Sequence, residues 1–192
     1  MSGTKVLDSK PLKIVPDPDV KFAAGESERY NVVVDDLHSL QRRGVAVAAA
    51  LNALHPQMAD AATKVSGNSA IPASVKSQFE SLNKEYEAIR KKFGVPLNAP
   101  PAGGRGGGGG GGGRGGGGFD PENVLGRTSA LKNALAGIWE VPSASMMRQY
   151  TDVKLALPKA ITDANALLVK AASVSQALKK YDITLTVPPA PK

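Results

Sequence analysis

The spacing of the apolar residues constrains this chain most: along four stretches they recur at alternating intervals of four and three. In the first stretch the stripe runs Val33, Leu37, Leu40, Gly44, Val47, Leu51, Leu54, Met58, Ala61, Val65. A stripe of that period stays on one side of an α-helix, so the helix must lie along other helices for most of its length. The second stretch carries Val75, Phe79, Leu82, Tyr86, Ile89 and Phe93, and the third Val124, Leu131, Leu135, Ile138 and Trp139. The fourth is long again, with Tyr150, Val153, Leu157, Ala160, Ala164, Leu167, Ala171, Val174, Leu178 and Tyr181. Aromatic residues make up only 5% of the chain. The core they imply is close-packed alanine and leucine, without large aromatic slabs.

Breaker residues divide the stripes. The first helix is expected from about Ser27 to about Val65, kinked or broken at Pro56, whose ring displaces one ladder bond. Gly67-Asn68-Ser69 turns the chain, Pro72 suits a first helical turn, and Gly94 suits the residue that closes the second helix. Residues 96–119 are rich in proline and then almost pure glycine, a flexible linker by composition. Asp120-Pro121-Glu122 reads as the cap and first turn of the third helix, which stops before Pro142. Ser143 is placed to cap the fourth, which contains Pro158. At the two ends, Leu12 and Ile14 alternate with lysines as a short strand, and Ile183-Thr184-Leu185-Thr186-Val187 alternates as a brief extended piece.

The expected fold is all-α: an antiparallel four-helix bundle ordered long, short, short, long, with a short N-terminal strand and a glycine-rich linker. Residues 1–24 form the strand and linker, 25–95 one helical hairpin, 96–119 the linker, 120–183 a second hairpin and 184–192 an extended tail. With the long helices antiparallel, both short ones pack at one end and both chain ends fall at the other. The rival arrangement sets the short helices end to end beside a parallel long pair.

Little in the residues points to chemistry. There is no cysteine, which removes disulfides, thiolate metal sites and cysteine nucleophiles. His38 and His55 are the only histidines, and neither has a ligand partner four residues on. Asp35-Asp36 and Glu85/Glu87 fit charged helix faces better than an acid–base pair. The glycine tract matches a nucleotide-loop pattern only trivially, since no strand precedes it and no Gly-Lys-Ser/Thr follows. No catalytic, cofactor-binding or metal-binding residue is assigned, and no cofactor is expected.

The net charge of +7 is scattered, with its densest group, Arg90-Lys91-Lys92, at a helix end where cations complement the dipole. Arg105 and Arg114 in the glycine tract are the candidates for RNA or anionic-polymer contact, but two arginines without interleaved aromatics make a spacer the better reading. No apolar run is long enough to span a membrane. The residues Met1 to Lys5 lack the apolar region of a signal peptide.

The segment Lys10-Pro-Leu-Lys-Ile-Val-Pro-Asp-Pro-Asp-Val20, followed by a long helix containing LHSLQRRGVAVAAALNAL, carries a resemblance. It is similar to the C-terminal region of bacterial sortilin-like β-propeller proteins with sialidase-type repeats, often labelled glycosyl hydrolases. Asn123-Val-Leu-Gly-Arg127 and ALPKAITDANALL resemble the closing helices of the same tails. Asp19-Val20 stands where an Asp-Pro-Arg-Val pattern is expected, and the glycine insertion is a second departure. The resemblance implies a non-catalytic helical module of a secreted or envelope protein, its strand the remnant of an upstream immunoglobulin-like module. It implies as partners the upstream domains of the parent or another protein, with self-association through exposed seam as a further expectation. No active-site residue of the family falls in this chain.

Overall fold

The computed structural model describes residues 10–11, 25–94, 120–138 and 140–191; the expected strand at Leu12 and Ile14, the glycine tract with Arg105 and Arg114, and Trp139 lie outside them. The helices are α1 Glu26–Gly67, α2 Ala73–Lys92, α3 Val124–Ala136 and α4 Ala144–Leu178, with a 3-10 turn at Lys179–Tyr181. The architecture is all-α, long first and last, and no strand occurs among the described residues.

Local chemistry sets the helix ends. Glu26 and Glu28 occupy the first turn of α1, where negative charge meets the positive end of the helix dipole. Ser143 caps α4 by accepting a hydrogen bond from the Met146 N–H at 3.3 Å. The α3 cap departs from expectation. Asp120 spends its carboxylate on the Glu122 N–H, and the Asn123 carboxamide takes the cap by accepting from the Gly126 N–H at 2.7 Å. Asp120-Pro121-Glu122 is therefore a turn, and the helix begins at Val124. Pro56 and Pro158 do not interrupt α1 or α4. Pro56 and Asn52, whose carbonyl the proline leaves without its ladder donor, are both solvent-exposed, so water can take that carbonyl.

The two long helices run parallel. Asp36 of α1 meets Tyr150 and Lys154 of α4, and further along Gly44 meets Leu157. The expected antiparallel pairing of the long helices is overturned, and the end-to-end arrangement holds. The connections after α1 and after α3 reverse the chain, whereas α3 continues in the direction of α2. Tyr86 of α2 reaches Leu51, while Ser129 and Leu135 of α3 reach Gln41 and Tyr30. Both short helices thus descend the same side of α1, and both touch α4. At about 1.5 Å per residue they cover about 50 Å together, which is the span of α4. The result is three columns, the middle one broken between Gly94 and Asn123.

Stripe width records what each length of helix packs against. Near its start α1 buries only Val33, Leu37, Leu40 and Gly44, a narrow seam facing α3 and α4. Beyond Val47 it buries Ala50 beside Leu51 and then returns to a single stripe, Leu54, Met58, Ala61 and Val65, whereas α4 buries adjacent pairs, Ala160 with Ile161, Leu167 with Leu168 and Val174 with Ser175. Along that part of α4 lies a further layer, which is not a helix. It is the segment after the 3-10 turn, whose Ile183 and Leu185 are buried in the main core and whose Leu185 backbone pairs with Ser175.

Candidate functional site

The stripes that dominate the sequence are consumed by packing. Every described stripe residue is buried except Val75, Ile89, Ile138 and Tyr181, which are half-buried. Tyr150 and Tyr181 pack as expected of seam residues, but the Tyr150 hydroxyl has a further task. It donates to Asp36 Oδ2 at 2.7 Å and accepts from Lys154 Nζ at 2.8 Å, while Lys154 also reaches the same carboxylate oxygen at 3.1 Å. Burial pushes the Asp36 carboxyl up, yet hydrogen bonds from Tyr150 and Lys154 outweigh it and hold the group below its usual range. Burial and the neighbouring carboxylate raise the Tyr150 phenol. A phenol held protonated beside an ionised carboxylate is a structural pair, unsuited to act as a base.

A second polar group joins α1 to α2. Tyr86, buried, donates to the Leu51 carbonyl at 2.6 Å, and the fully buried Arg90 guanidinium lies 5.5 Å from its ring centroid. Arg90 also donates to both oxygens of Glu87, at 3.1 and 3.0 Å. His55 stacks on Tyr86 with ring centroids 6.3 Å apart, and its Nδ1 lies 3.8 Å from Glu87. By sequence, Arg90 groups with Lys91 and Lys92 as cations complementing the end of the helix dipole. The available signal was its position four residues after Tyr86, on the seam side of α2. Glu85 and Glu87 part company, since Glu85 pairs with Lys170 of α4 at 2.7 Å. Among the described residues no group of three histidine or acidic side chains could hold a metal ion. No helix among them is long and apolar enough to cross a membrane.

The column break is a third feature. Gly94 has φ +75°, and a Cβ there would come within 2.5 Å of the Asn123 side chain. Asn123 is thus wedged between Gly94 and Gly126, which lets α3 follow directly under α2. Gly94 and Asn123, on either side of the stretch that contains the glycine tract, thus lie against each other. Beside the break a groove of about 500 Å³ has an alanine and valine floor, Ala88, Val124, Ala156 and Ala160. Its lysines are engaged, Lys91 with Glu122 at 3.8 Å, and Lys92 and Lys159 with Asp163 at 3.0 and 3.7 Å.

The fourth feature has the most chemistry directed at a polypeptide. Asp182, at φ 59°, turns the chain back, and residues 183–191 run down the groove between α1 and α4. The Ser175 hydroxyl accepts from the Leu185 N–H at 2.9 Å and donates to the Leu185 carbonyl at 3.0 Å. On the other wall the Gln57 carboxamide accepts from the Thr186 N–H at 2.6 Å and donates to the Thr186 carbonyl at 3.2 Å. Asn165 donates to the Pro191 carbonyl at 3.3 Å. The alternation at 183–187 was legible as an extended piece, but neither Gln57 nor Ser175 carries any sequence mark of this role.

Comparison with known proteins adds nothing to the geometry: no protein-family profile, curated protein or solved structure matches the chain.

Proposed function

We propose that this chain is a non-catalytic helical module for structure and interaction, the C-terminal portion of a secreted sortilin-like β-propeller protein. The carrying observation is how the side chains capable of acid–base chemistry are used. Asp36 is tied to Tyr150 and Lys154, Glu87 to Arg90, Asp163 to Lys92 and Glu85 to Lys170. Three of these pairings lock one helix to another, so these four carboxylates go into the assembly of the bundle itself. The parentage rests on the resemblance of Lys10 to Val20 and of the helical stretches around Leu37 and Leu155.

The expected partner is an upstream propeller module, docked where the helical seams and grooves reach the surface. If a propeller encoded upstream is produced separately, it should bind this chain and raise its melting temperature by mass action. A purified propeller that leaves the melting temperature unchanged ends the parentage. Glycoside hydrolysis by this chain alone, which would need paired carboxylates at a cleft, ends the non-catalytic part. The competing reading, anionic-polymer binding through Arg105 and Arg114, predicts salt-sensitive RNA affinity that falls when both become alanine.

A further inference from the structure

Side chains rarely satisfy both backbone groups of one residue, and here two do so for consecutive residues. Ser175 pairs with the N–H and the carbonyl of Leu185, and Gln57 does the same for Thr186. A carboxamide in that position imitates the edge of a neighbouring strand. Ile183 and Leu185, at alternate positions, are buried among α1 and α4, with Val187 half-buried beside them. The α1–α4 groove therefore reads an extended backbone by hydrogen bonds and alternate side chains by apolar contact. Those are the two elements of peptide recognition in an extended form.

The segment in the groove has no helical or strand ladder of its own. Two buried side chains, Ile183 and Leu185, three half-buried ones, Val187, Pro188 and Pro191, and five hydrogen bonds with Ser175, Gln57 and Asn165 must offset the ordering of about nine residues, each losing backbone freedom. Thr184 and Thr186 face solvent, and the hinge, Asp182, sits at a positive φ that only a short list of residues adopts readily. A segment without such a ladder can open locally without unfolding of the helices beneath it.

We propose that the groove between α1 and α4 is a self-occupied peptide-binding site. Residues 183–191 are its resident, displaceable occupant. The partner is an extended polypeptide segment with aliphatic residues at alternate positions, like Ile183-Thr-Leu185, that replaces them. The inference rests on the interaction-module reading and names the chemistry of one partner. The two fail separately, because propeller docking is tested on another component. The tether gives the resident segment an effective concentration in the millimolar range, so the intact chain resists competitors until a segment binds better or is locally abundant.

The test uses a fluorescent synthetic peptide of residues 183–191 and the full chain. The intact chain should bind it weakly. The Leu185→Asp chain, whose own segment no longer fits while the groove is unaltered, should bind it at least tenfold more tightly. Adding Gln57→Ala to that chain should remove at least tenfold of the gain, and a peptide carrying the same aspartate should not bind. Equal affinity for the intact and Leu185→Asp chains, or no binding to a Leu185→Asp chain of unchanged helix content, overturns the proposal. If that variant does not fold, hydrogen exchange on the intact chain decides. Leu185 and Thr186 amides exchanging at least a hundredfold faster than the slowest α4 amides support a displaceable occupant, and exchange at the α4 rate overturns it. An intact chain that dimerises on concentration and returns to monomer with the peptide assigns the groove to a second copy instead.

Discussion

The Tyr150 hydroxyl donates to Asp36 Oδ2 at 2.7 Å, close to the starts of the fourth helix and the first. Two residues 114 apart in sequence fasten the long helices in register there, both pointing the same way. Lys154 closes the group from the next turn, with its ammonium 5.1 Å from the Tyr150 ring centroid. Tyr150→Phe removes two partly buried hydrogen bonds, one to Asp36 and one from Lys154, and should lower stability by about 1–2 kcal/mol. Asp36→Ala should cost at least as much, because it leaves Tyr150 without an acceptor. Urea unfolding followed by circular dichroism measures both.

The parallel course of the long helices is open to chemical test. A zero-length carbodiimide joins a lysine to a carboxylate only where they are in contact. It should give Lys154–Asp36, Lys170–Glu85 and Lys92–Asp163 as the interhelical products in peptide mapping, since those ammonium and carboxylate groups lie 3.1, 2.7 and 3.0 Å apart. An antiparallel long pair would bring Lys154 to the far end of α1. Recovery of Lys154 with Asp60 in place of Asp36 contradicts the three-column arrangement.

Acid should weaken the fold through two of the same carboxylates. Asp36 is held below its usual range, hydrogen bonds from Tyr150 and Lys154 outweighing burial, and Asp163 is held there chiefly by the Lys92 hydrogen bond. A carboxyl whose folded pKa lies below its unfolded value stabilises the fold at pH above about 4, and loses that contribution as pH falls through the folded value. Stability should therefore be steady from pH 7 to 5 and decline below about 4. In the double variant Asp36→Asn, Asp163→Asn the decline should be shallower, which melting curves across that range would register.

How much of this was legible follows from particular residues. The stripe from Val33 to Val65 contains the period that makes a helix and buries its face, so helix and core could be read directly. Direction is another matter. Whether the chain reverses between Phe93 and Asn123 depends on a segment whose composition favours no turn over another, and that one reversal separates parallel from antiparallel long helices. The matching lengths of α2 plus α3 and of α4 were the signal for the parallel arrangement. The dipole reading of Arg90 said nothing of its burial, which Tyr86 and Glu87 make possible by partnering its guanidinium within the bundle. Gln57 and Ser175 had no signal, because a groove for an extended segment exists only once α1 and α4 lie side by side.

At Gly44 the three columns meet. A Cβ there would lie 2.7 Å from Leu125 Cδ1 and 3.4 Å from Leu157 Cδ1. Alanine gains about 1 kcal/mol of helix propensity over glycine, and the nearer contact is the tip of a leucine that can rotate. Gly44→Ala should thus leave stability within about 1 kcal/mol of the parent. Gly44→Leu has no such escape and should cost about 1–3 kcal/mol by overpacking. A stabilising leucine at this position, read from urea midpoints, would mean that α3 does not press on α1 at Leu125.

The broken middle column makes a prediction about the glycine tract that depends on no property of the tract itself. Gly94 and Asn123 lie against each other, and residues 95–122 connect them. The closure entropy of a loop grows only with the logarithm of its length, so removing residues 103–118 should change stability by less than about 1 kcal/mol, in the stabilising direction. Helix content should be unchanged, and the Asn123 cap should survive, because its partners Gly94 and Gly126 remain. Gly94→Ala in the same background should instead destabilise, since φ +75° strains any side chain there and the new Cβ meets Asn123. If the shortened chain loses helix content, or if alanine at 94 is harmless, then α2 and α3 are not halves of one column and the glycine segment is doing more than joining them.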